Sequence, residues 1–164
     1  MNNQTYFRYI LIALVLVFSA CSMKRYEHTQ SKIVTIKTKN LKFSDIGYIR
    51  NSSDAVELEL FEAGNLAFKV SIDNFICTND GCMSKSSFNE EYLSEYYPQD
   101  ILQNIILGKP VFDAKNVSRN DDGFEQNILT QEVDIHYQVD ANGIYFKDKK
   151  NNILIKIKEL NHVK

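Results

Sequence analysis

An alternation of apolar and polar side chains with a period of two recurs along this chain and limits what it can fold into. It is clearest in Ala55 to Glu62 and in Leu66 to Asp73, which are separated by Ala63-Gly64-Asn65. Successive side chains of a β-strand point to opposite faces, so each segment predicts a strand with one apolar and one wet face. The short Gly-containing link predicts that the two strands form a hairpin. We therefore expect an antiparallel sheet whose apolar face has to be covered.

Strand patterns also occur on both sides of this hairpin. The N-terminal ones are rich in β-branched residues, and the C-terminal ones alternate and are joined by turns that contain Asn and Gly. The end of the chain is thus predicted to be a β-meander. The further predicted strands are Ile33 to Thr38, Phe43 to Arg50, Phe124 to Thr130, Glu132 to Val139, Ile144 to Lys147 and Ile153 to Lys158.

A short helix is predicted between the hairpin and the meander. Ser87-Phe88-Asn89-Glu90 fits a capping box, with a Ser at the cap and a Glu three residues on. The helix is expected to run to Tyr96 or Tyr97, because Pro98 follows.

A second helix is predicted from Pro98 through Leu107, where Gly108 would close it. It is amphipathic and is expected to cover the apolar face of the sheet. The predicted fold class is therefore α+β, with one curved antiparallel sheet, a half-barrel, covered by one or two short helices. The apolar side of the second helix consists of Ile101, Leu102, Ile105 and Ile106.

Composition and the absence of known motifs argue against several functional classes. Hydrophobic residues make up 44% of the chain, which is enough for a folded core, and the formal net charge of −2 argues against a nucleic-acid partner. Phosphate loops, dinucleotide fingerprints and His-Glu-x-x-His motifs are missing from the sequence. We therefore predict a protein that is not an enzyme and has no cofactor.

Three potential metal ligands, Glu132, Asp134 and His136, would share one face of a predicted strand. They could bind an ion only with help from a neighbouring strand, because side chains on one face are about 6.5 to 7 Å apart. The wet face of a sheet accounts for them more simply. No metal site is predicted.

Two of the three cysteines, Cys77 and Cys82, enclose Thr78-Asn79-Asp80-Gly81, whose residue types favour a tight turn. A redox pair and half of a metal site are the alternatives to a disulfide. The spacing is not Cys-x-x-Cys, and no second Cys or His pair follows. A disulfide across the turn is therefore predicted.

The N-terminal segment carries one charged side chain, Arg8, before an apolar run that ends in Phe18-Ser19-Ala20-Cys21. This layout resembles the lipobox of bacterial lipoprotein signals, in which an apolar residue and two small ones precede the cysteine that takes up lipid. A membrane-spanning helix is the alternative, but the run is well short of the roughly 20 residues that a bilayer requires. The resemblance implies a signal peptide at residues 1–20 and a lipid such as palmitate on Cys21.

The lipobox resemblance also implies an organisation for the mature chain. Residues 21–32 would be a lipidated tether, residues 33–160 one domain and residues 161–164 a tail. Ser22, rather than Asp, follows Cys21, which by analogy with enteric bacteria favours sorting to the outer membrane. The expected location is the periplasmic side of that membrane, which the protein contacts through its N-terminal lipid.

The domain resembles LolB-type outer-membrane lipoproteins and, in general style, small lipoproteins of Campylobacter and Helicobacter. The matching parts are the lipobox, the strand pair Ala55 to Asp73, the segment Ile105 to Pro110 and the final strand Ile153 to Lys158. LolB-type proteins receive other lipoproteins in an open half-barrel plugged by helices. The resemblance implies the same fold and a related activity in lipoprotein localisation.

Two functional hypotheses follow. In the first, the half-barrel binds an acyl chain or a lipoprotein in an apolar cleft. In the second, the protein is a non-catalytic structural or assembly lipoprotein that binds an envelope protein through its loops. The residues expected to line the cleft are Leu58, Leu60, Phe68, Val70, Ile101 and Ile105.

Overall fold

The computed structural model describes residues 26–160, and they form one large open antiparallel sheet with two short helices. The sheet has eleven strands in the order β6-β5-β4-β3-β2-β1-β11-β10-β9-β8-β7. Each half of the chain therefore folds as a meander, and the pairing of β1 with β11 joins the halves. The strands are β1 (His28–Lys37), β2 (Lys42–Asn51), β3 (Val56–Glu62), β4 (Asn65–Ile72), β5 (Ile76–Thr78), β6 (Gly81–Met83), β7 (Val117–Asn120), β8 (Gly123–Leu129), β9 (Asp134–Asp140), β10 (Gly143–Asp148) and β11 (Ile153–Glu159).

The predicted sheet with few helices is confirmed, and the predicted hairpin corresponds to β3 and β4. The first strand differs from the prediction because β1 begins at His28, inside the segment predicted to be a tether. Residues 28–32 are polar and mostly exposed, so their pattern gave no strand signal. They are held by pairing with β2, from His28 opposite Asn51 to Lys32 opposite Gly47.

Two helices lie between β6 and β7: α1 (Lys85–Tyr92) and α2 (Ile101–Ile106). The predicted cap at Ser87 is wrong, because the Ser84 side chain accepts a hydrogen bond from the Ser87 backbone N–H and α1 begins three residues earlier. The Leu93 N–H still bonds to the Asn89 carbonyl, and a turn follows. Both helices are thus shorter than predicted.

The helices cover one face of the sheet, called here the inner face, and the opposite face is called the outer face. Inner-face positions alternate with outer ones along each strand, as in the buried Val34 and Ile36 of β1. Across β11 they pair with Ile157 and Ile155, which are also buried. A single apolar core thus extends over both halves of the sheet. It includes Val56, Leu58, Leu60, Val70, Ile72, Ile101, Ile105, Ile135, Tyr137, Phe146, Ile153, Ile155 and Ile157.

The lipobox, Cys21, the signal peptide and the C-terminal tail lie outside the described residues. Within residues 26–160, no helix has the length and apolar character needed to cross a bilayer.

Candidate functional site

The residues predicted to line an apolar cleft lie on the inner face and on α2. All but one are at most 2% exposed, and they belong to the packed core. Phe68 is half-buried, and its ring centroid is 6.1 Å from that of Tyr92 in α1. Beside it, Leu58 and Val70 line a cavity of only about 20 Å³, enough space for a water molecule and not for a chain of methylenes. The structure therefore places these side chains in a filled interior under the helices.

A much larger space, the mouth cavity, lies beyond the C-terminal end of α2. Its volume is about 340 Å³, and it opens to solvent where β1 begins and β2 ends. Such a volume lies at the lower end of the range for pockets that bind small molecules. The mouth cavity is bounded by α2 on one side and by both halves of the sheet on the other.

The floor of the mouth cavity is apolar. It takes side chains from β2, β9, β10, β11 and α2, and most of them also pack against the core. Gly108 ends α2 with a φ of +63°, and this turn brings the backbone within reach of the Val139 side chain. The apolar residues are Ile49, Ile106, Leu107, Val139, Ile144 and Ile157.

The rim of the mouth cavity is polar and contains an ion pair. The Lys32 ammonium bonds to the Glu159 carboxylate across β1 and β11. The Lys32 side chain is only 12% exposed, whereas that of Glu159 is 61% exposed. The other polar side chains of the lining are Gln30, Asn51, Asp140 and Lys158. The Asn51 carbonyl accepts a hydrogen bond from the Glu27 N–H at 3.0 Å. The cavity thus opens at the point where the chain enters the sheet.

Buried polar contacts hold the link between α2 and β7 that follows the mouth cavity. The fully buried Gln126 amide accepts from the Val111 N–H and donates to the carbonyls of Val111 and Lys115. The Tyr137 hydroxyl donates to the Lys109 carbonyl at 3.0 Å, and burial raises the pKa of Tyr137 above its ordinary value. These contacts fix the chain that leaves α2, and sequence reasoning did not identify them because they match no motif.

Cys77 and Cys82 occupy opposite positions on β5 and β6, and their sulfurs are 2.04 Å apart. This agrees with the predicted disulfide across the turn. Phe75, just before β5, is 57% exposed. The disulfide hairpin therefore presents a large apolar side chain near one edge of the sheet.

The three residues predicted to share the wet face of one strand each have a different partner, and Glu132 lies in the bend before β9 rather than in the strand. The His136 ring lies 2.9 Å from the Asn127 side-chain oxygen, and the Glu132 carboxylate accepts from the Thr130 hydroxyl. Asp134 lies 3.7 Å from the Lys149 ammonium. Within residues 26–160, no His, Cys, Asp and Glu side chains cluster in a way that could hold a metal ion.

An ion cluster covers the outer face of β2, β3 and β4. The Arg50 guanidinium contacts the carboxylates of Glu57 and Glu59 at 2.8 and 2.6 Å, and the Lys69 ammonium contacts them at 2.9 and 3.2 Å. The Tyr26 hydroxyl also donates to Glu57. Burial raises the pKa of Glu57, but the hydrogen bonds from Lys69 and Arg50 outweigh it and leave that pKa below its ordinary value.

We expect Glu57 to make stability depend on acid pH. Because its pKa is lowered in the folded state, the charged carboxylate favours folding above the ordinary value of 4.5, and this contribution is lost as the pH falls below it. The free energy of unfolding, measured in urea between about pH 6 and pH 3, should fall less steeply in Glu57→Gln than in the parent. Glu62→Gln, an exposed change on the same strand, should keep the parental slope; equal slopes for all three proteins would contradict the expectation.

Comparisons with protein families, with curated proteins and with solved structures find no match to this chain. The function is therefore inferred from the geometry and chemistry of the described residues. The mouth cavity, with its volume of about 340 Å³ and its apolar floor, is the candidate site, and it is separate from the residues that sequence reasoning selected.

Proposed function

We propose that this chain is a lipoprotein, anchored on the periplasmic side of the outer membrane, that binds an acyl chain or an acylated lipoprotein and acts in lipoprotein localisation. The open sheet serves as an apolar half-barrel, and α1 and α2 fill its interior. The ligand occupies the mouth cavity rather than the packed interior. Membrane attachment is through lipid on Cys21.

The observation that carries this proposal is the pairing of an apolar floor with a polar rim in a cavity of about 340 Å³. An acyl chain is apolar along its length and polar at one end, so it matches this arrangement. Each methylene that is buried contributes about 0.8 kcal/mol to the free energy of binding, so that even part of an acyl chain would bind favourably. At the rim, Lys32 and Gln30 offer N–H donors to a carboxylate or ester oxygen.

The position of the mouth cavity also supports the proposal. Cys21 precedes Tyr26 by five residues, which span at most about 18 Å when extended. Tyr26 is close to the rim, since the next residue, Glu27, bonds to Asn51. A lipid on Cys21 would therefore keep the cavity within reach of acyl chains in the bilayer.

The alternative, a structural or assembly lipoprotein that binds an envelope protein, is favoured by one observation. Phe75, next to the disulfide hairpin at an edge of the sheet, is 57% exposed. An aromatic side chain on a rigid turn is a common anchor in protein interfaces. The exposed Phe75 is explained more simply by contact with a protein partner than by binding of an acyl chain.

We expect Val139→Trp to weaken acyl binding by about tenfold or more, because the larger ring would occupy the floor of the mouth cavity. The probe is a fluorescent fatty acid, titrated into the full chain carrying Cys21→Ser so that no protein-bound acyl chain competes. Leu129→Trp is the matched control, since Leu129 is 73% exposed and does not line the cavity.

The outcomes separate the two functions. Saturable binding by the parent and by Leu129→Trp, with loss in Val139→Trp, supports acyl binding in the mouth cavity. If the parent shows no saturable binding, the acyl-binding proposal fails and the assembly function is the better account. If Val139→Trp binds as the parent does, the ligand binds elsewhere on the molecule.

A further inference from the structure

The outer face of the neighbouring strands β2, β1, β11 and β10 is rich in lysine. The strand pairing fixes which side chains share this face: Lys37 lies opposite Lys42 on one side and Leu154 on the other, and Leu154 lies opposite Lys147. We call the following group the lysine face. It consists of Lys37, Lys42, Lys147, Lys156 and Lys158.

These four strands contribute no carboxylate to the lysine face; on the neighbouring β9, Asp140 lies opposite Gly143 on the outer side and lines a surface pocket with Lys156 and Lys158. Among these strands, Asp45 pairs with the inner-face residue Val34, Asp148 with Ile153, and Glu159 with Lys32. All three acidic residues therefore lie on the inner face of the sheet. Among residues 26–160, no member of the lysine face forms an ion pair, although the Lys156 ammonium lies 5.2 Å from the centre of the Tyr145 ring.

The lysine face is electrostatically unfavourable for the isolated domain. Lys37 and Lys42 are directly opposite each other, a position in which like charges repel. Lys147 is two strands from Lys37, about 10 Å away, on the same face of the sheet. Several unpaired positive charges facing one way are therefore complementary to an extended anionic surface rather than to one small anion.

Apolar side chains lie beside these lysines. Ile33 and Ile46 are opposite each other on the outer face and are 41% and 40% exposed. Lysines that flank aliphatic side chains are typical of segments that lie in the interface of an anionic bilayer. A polar partner alone would leave these isoleucines without an apolar contact.

The first described residue, Tyr26, contacts the outer face of the sheet. The Tyr26 hydroxyl donates to Glu57 Oε2 at 3.2 Å and lies 3.4 Å from Ser71 Oγ, and both partners are on the outer face. The Tyr26 side chain therefore lies on the outer side of the sheet, which also carries the lysine face.

We propose that the lysine face binds the phosphate headgroups of an anionic bilayer and holds the domain against the membrane to which it is tethered. The orientation rests on the proposed lipid anchor, whereas the binding itself requires only the lysines and the two isoleucines. The ligand chemistry is that of anionic phospholipid, such as phosphatidylglycerol.

The test is lysine acetylation of the full chain, as purified from membranes, in vesicles of phosphatidylcholine with or without phosphatidylglycerol. Mass spectrometry then gives the labelling rate of each lysine. We expect the lysine face to be labelled about threefold or more slowly on the anionic vesicles. Lys109, which follows α2 on the inner side, should be labelled at the same rate on both.

A pair of charge-matched variants completes the test. Lys37→Gln with Lys147→Gln should remove the protection of Lys156 and Lys158, whereas Lys109→Gln with Lys115→Gln should leave it intact. Equal labelling on both vesicles overturns the proposal. Protection seen only in native envelopes, and not on anionic vesicles, also overturns it and identifies an acidic protein as the partner.

The proposed lipid anchor and the proposed binding by the lysine face can be tested separately. A chain carrying Cys21→Ser that still floats with anionic vesicles at low salt, and is released at high salt, supports the lysine face even if Cys21 carries no lipid. If the same chain floats equally with neutral vesicles, the charged face is not responsible and the proposal is overturned.

Discussion

Gly143→Ala is expected to lower the free energy of unfolding by about 3 kcal/mol or more. Gly143 begins β10 at the rim of the mouth cavity with a φ of +126°, a conformation that side chains with a Cβ rarely adopt. An added Cβ would also lie 2.1 Å from the Ile157 carbonyl oxygen, a backbone atom of the paired strand. To relieve this clash, β10 and β11 would have to separate. The resulting loss in the free energy of unfolding is measured by urea unfolding.

Gly64→Ala is the matched control for this prediction. Gly64 also has a positive φ, +82°, but no atom lies within 4 Å of the position that its Cβ would take. The change should therefore cost only the backbone strain, about 1 kcal/mol. Similar losses in the two variants would show that the close approach of β10 and β11 is not what requires Gly143. The Gly143→Ala variant should also bind the fatty-acid probe more weakly, since the cavity rim would shift.

Asp148→Ala is expected to destabilise the protein by about 4 kcal/mol. The Asp148 side chain is fully buried at the end of β10 and accepts a hydrogen bond from the Tyr97 hydroxyl at 2.8 Å. It also accepts from the backbone N–H groups of Asp134, Lys150 and Asn151. Its removal would leave several donors unpaired in the interior, and each unpaired group costs energy.

The Tyr97 hydroxyl reports on the same interaction. Burial raises the pKa of Tyr97 above its ordinary value, and the hydrogen bond to Asp148 raises it further, so the phenol stays protonated and donates. Tyr97→Phe should therefore cost less than Asp148→Ala, because it removes one of the bonds and leaves the turn intact. Asp122→Ala, in an exposed turn, is the control and should change stability by less than about 0.5 kcal/mol. A loss in Asp148→Ala no larger than in this control would contradict the prediction.

Local patterns were reliable where one strand face is buried and the other is wet. The β3–β4 hairpin and the strands β9 and β11 could be predicted because each alternates with a period of two. The residues of β1 from His28 to Lys32 could not, because they are held in the sheet by main-chain pairing and not by an apolar face. The start of α1 was missed because Ser87 is followed by Glu90 at the spacing of a capping box, whereas the actual cap, Ser84, has a Ser at that position.

The predicted acyl-lining residues illustrate a different limit. Hydrophobic periodicity identified Leu58, Val70 and Ile101 as inward-facing, and they are buried. Whether an inward face lines a cavity or fills a core depends on how closely the helices approach the sheet. That approach is set by volumes of side chains that are distant in sequence.

The sequence by itself determined the antiparallel sheet and the direction of most side chains, because these follow from local periodicity and turn chemistry. It predicted the pairing of Cys77 with Cys82 without determining it. Only the tertiary structure decided where the mouth cavity lies and that the lysine face is continuous. The cavity lies beyond the C-terminal end of α2, where Ile106, Leu107 and Gly108 face strands from both halves of the sheet. The lysine face exists because the pairing of β1 with β11 brings together residues more than a hundred positions apart.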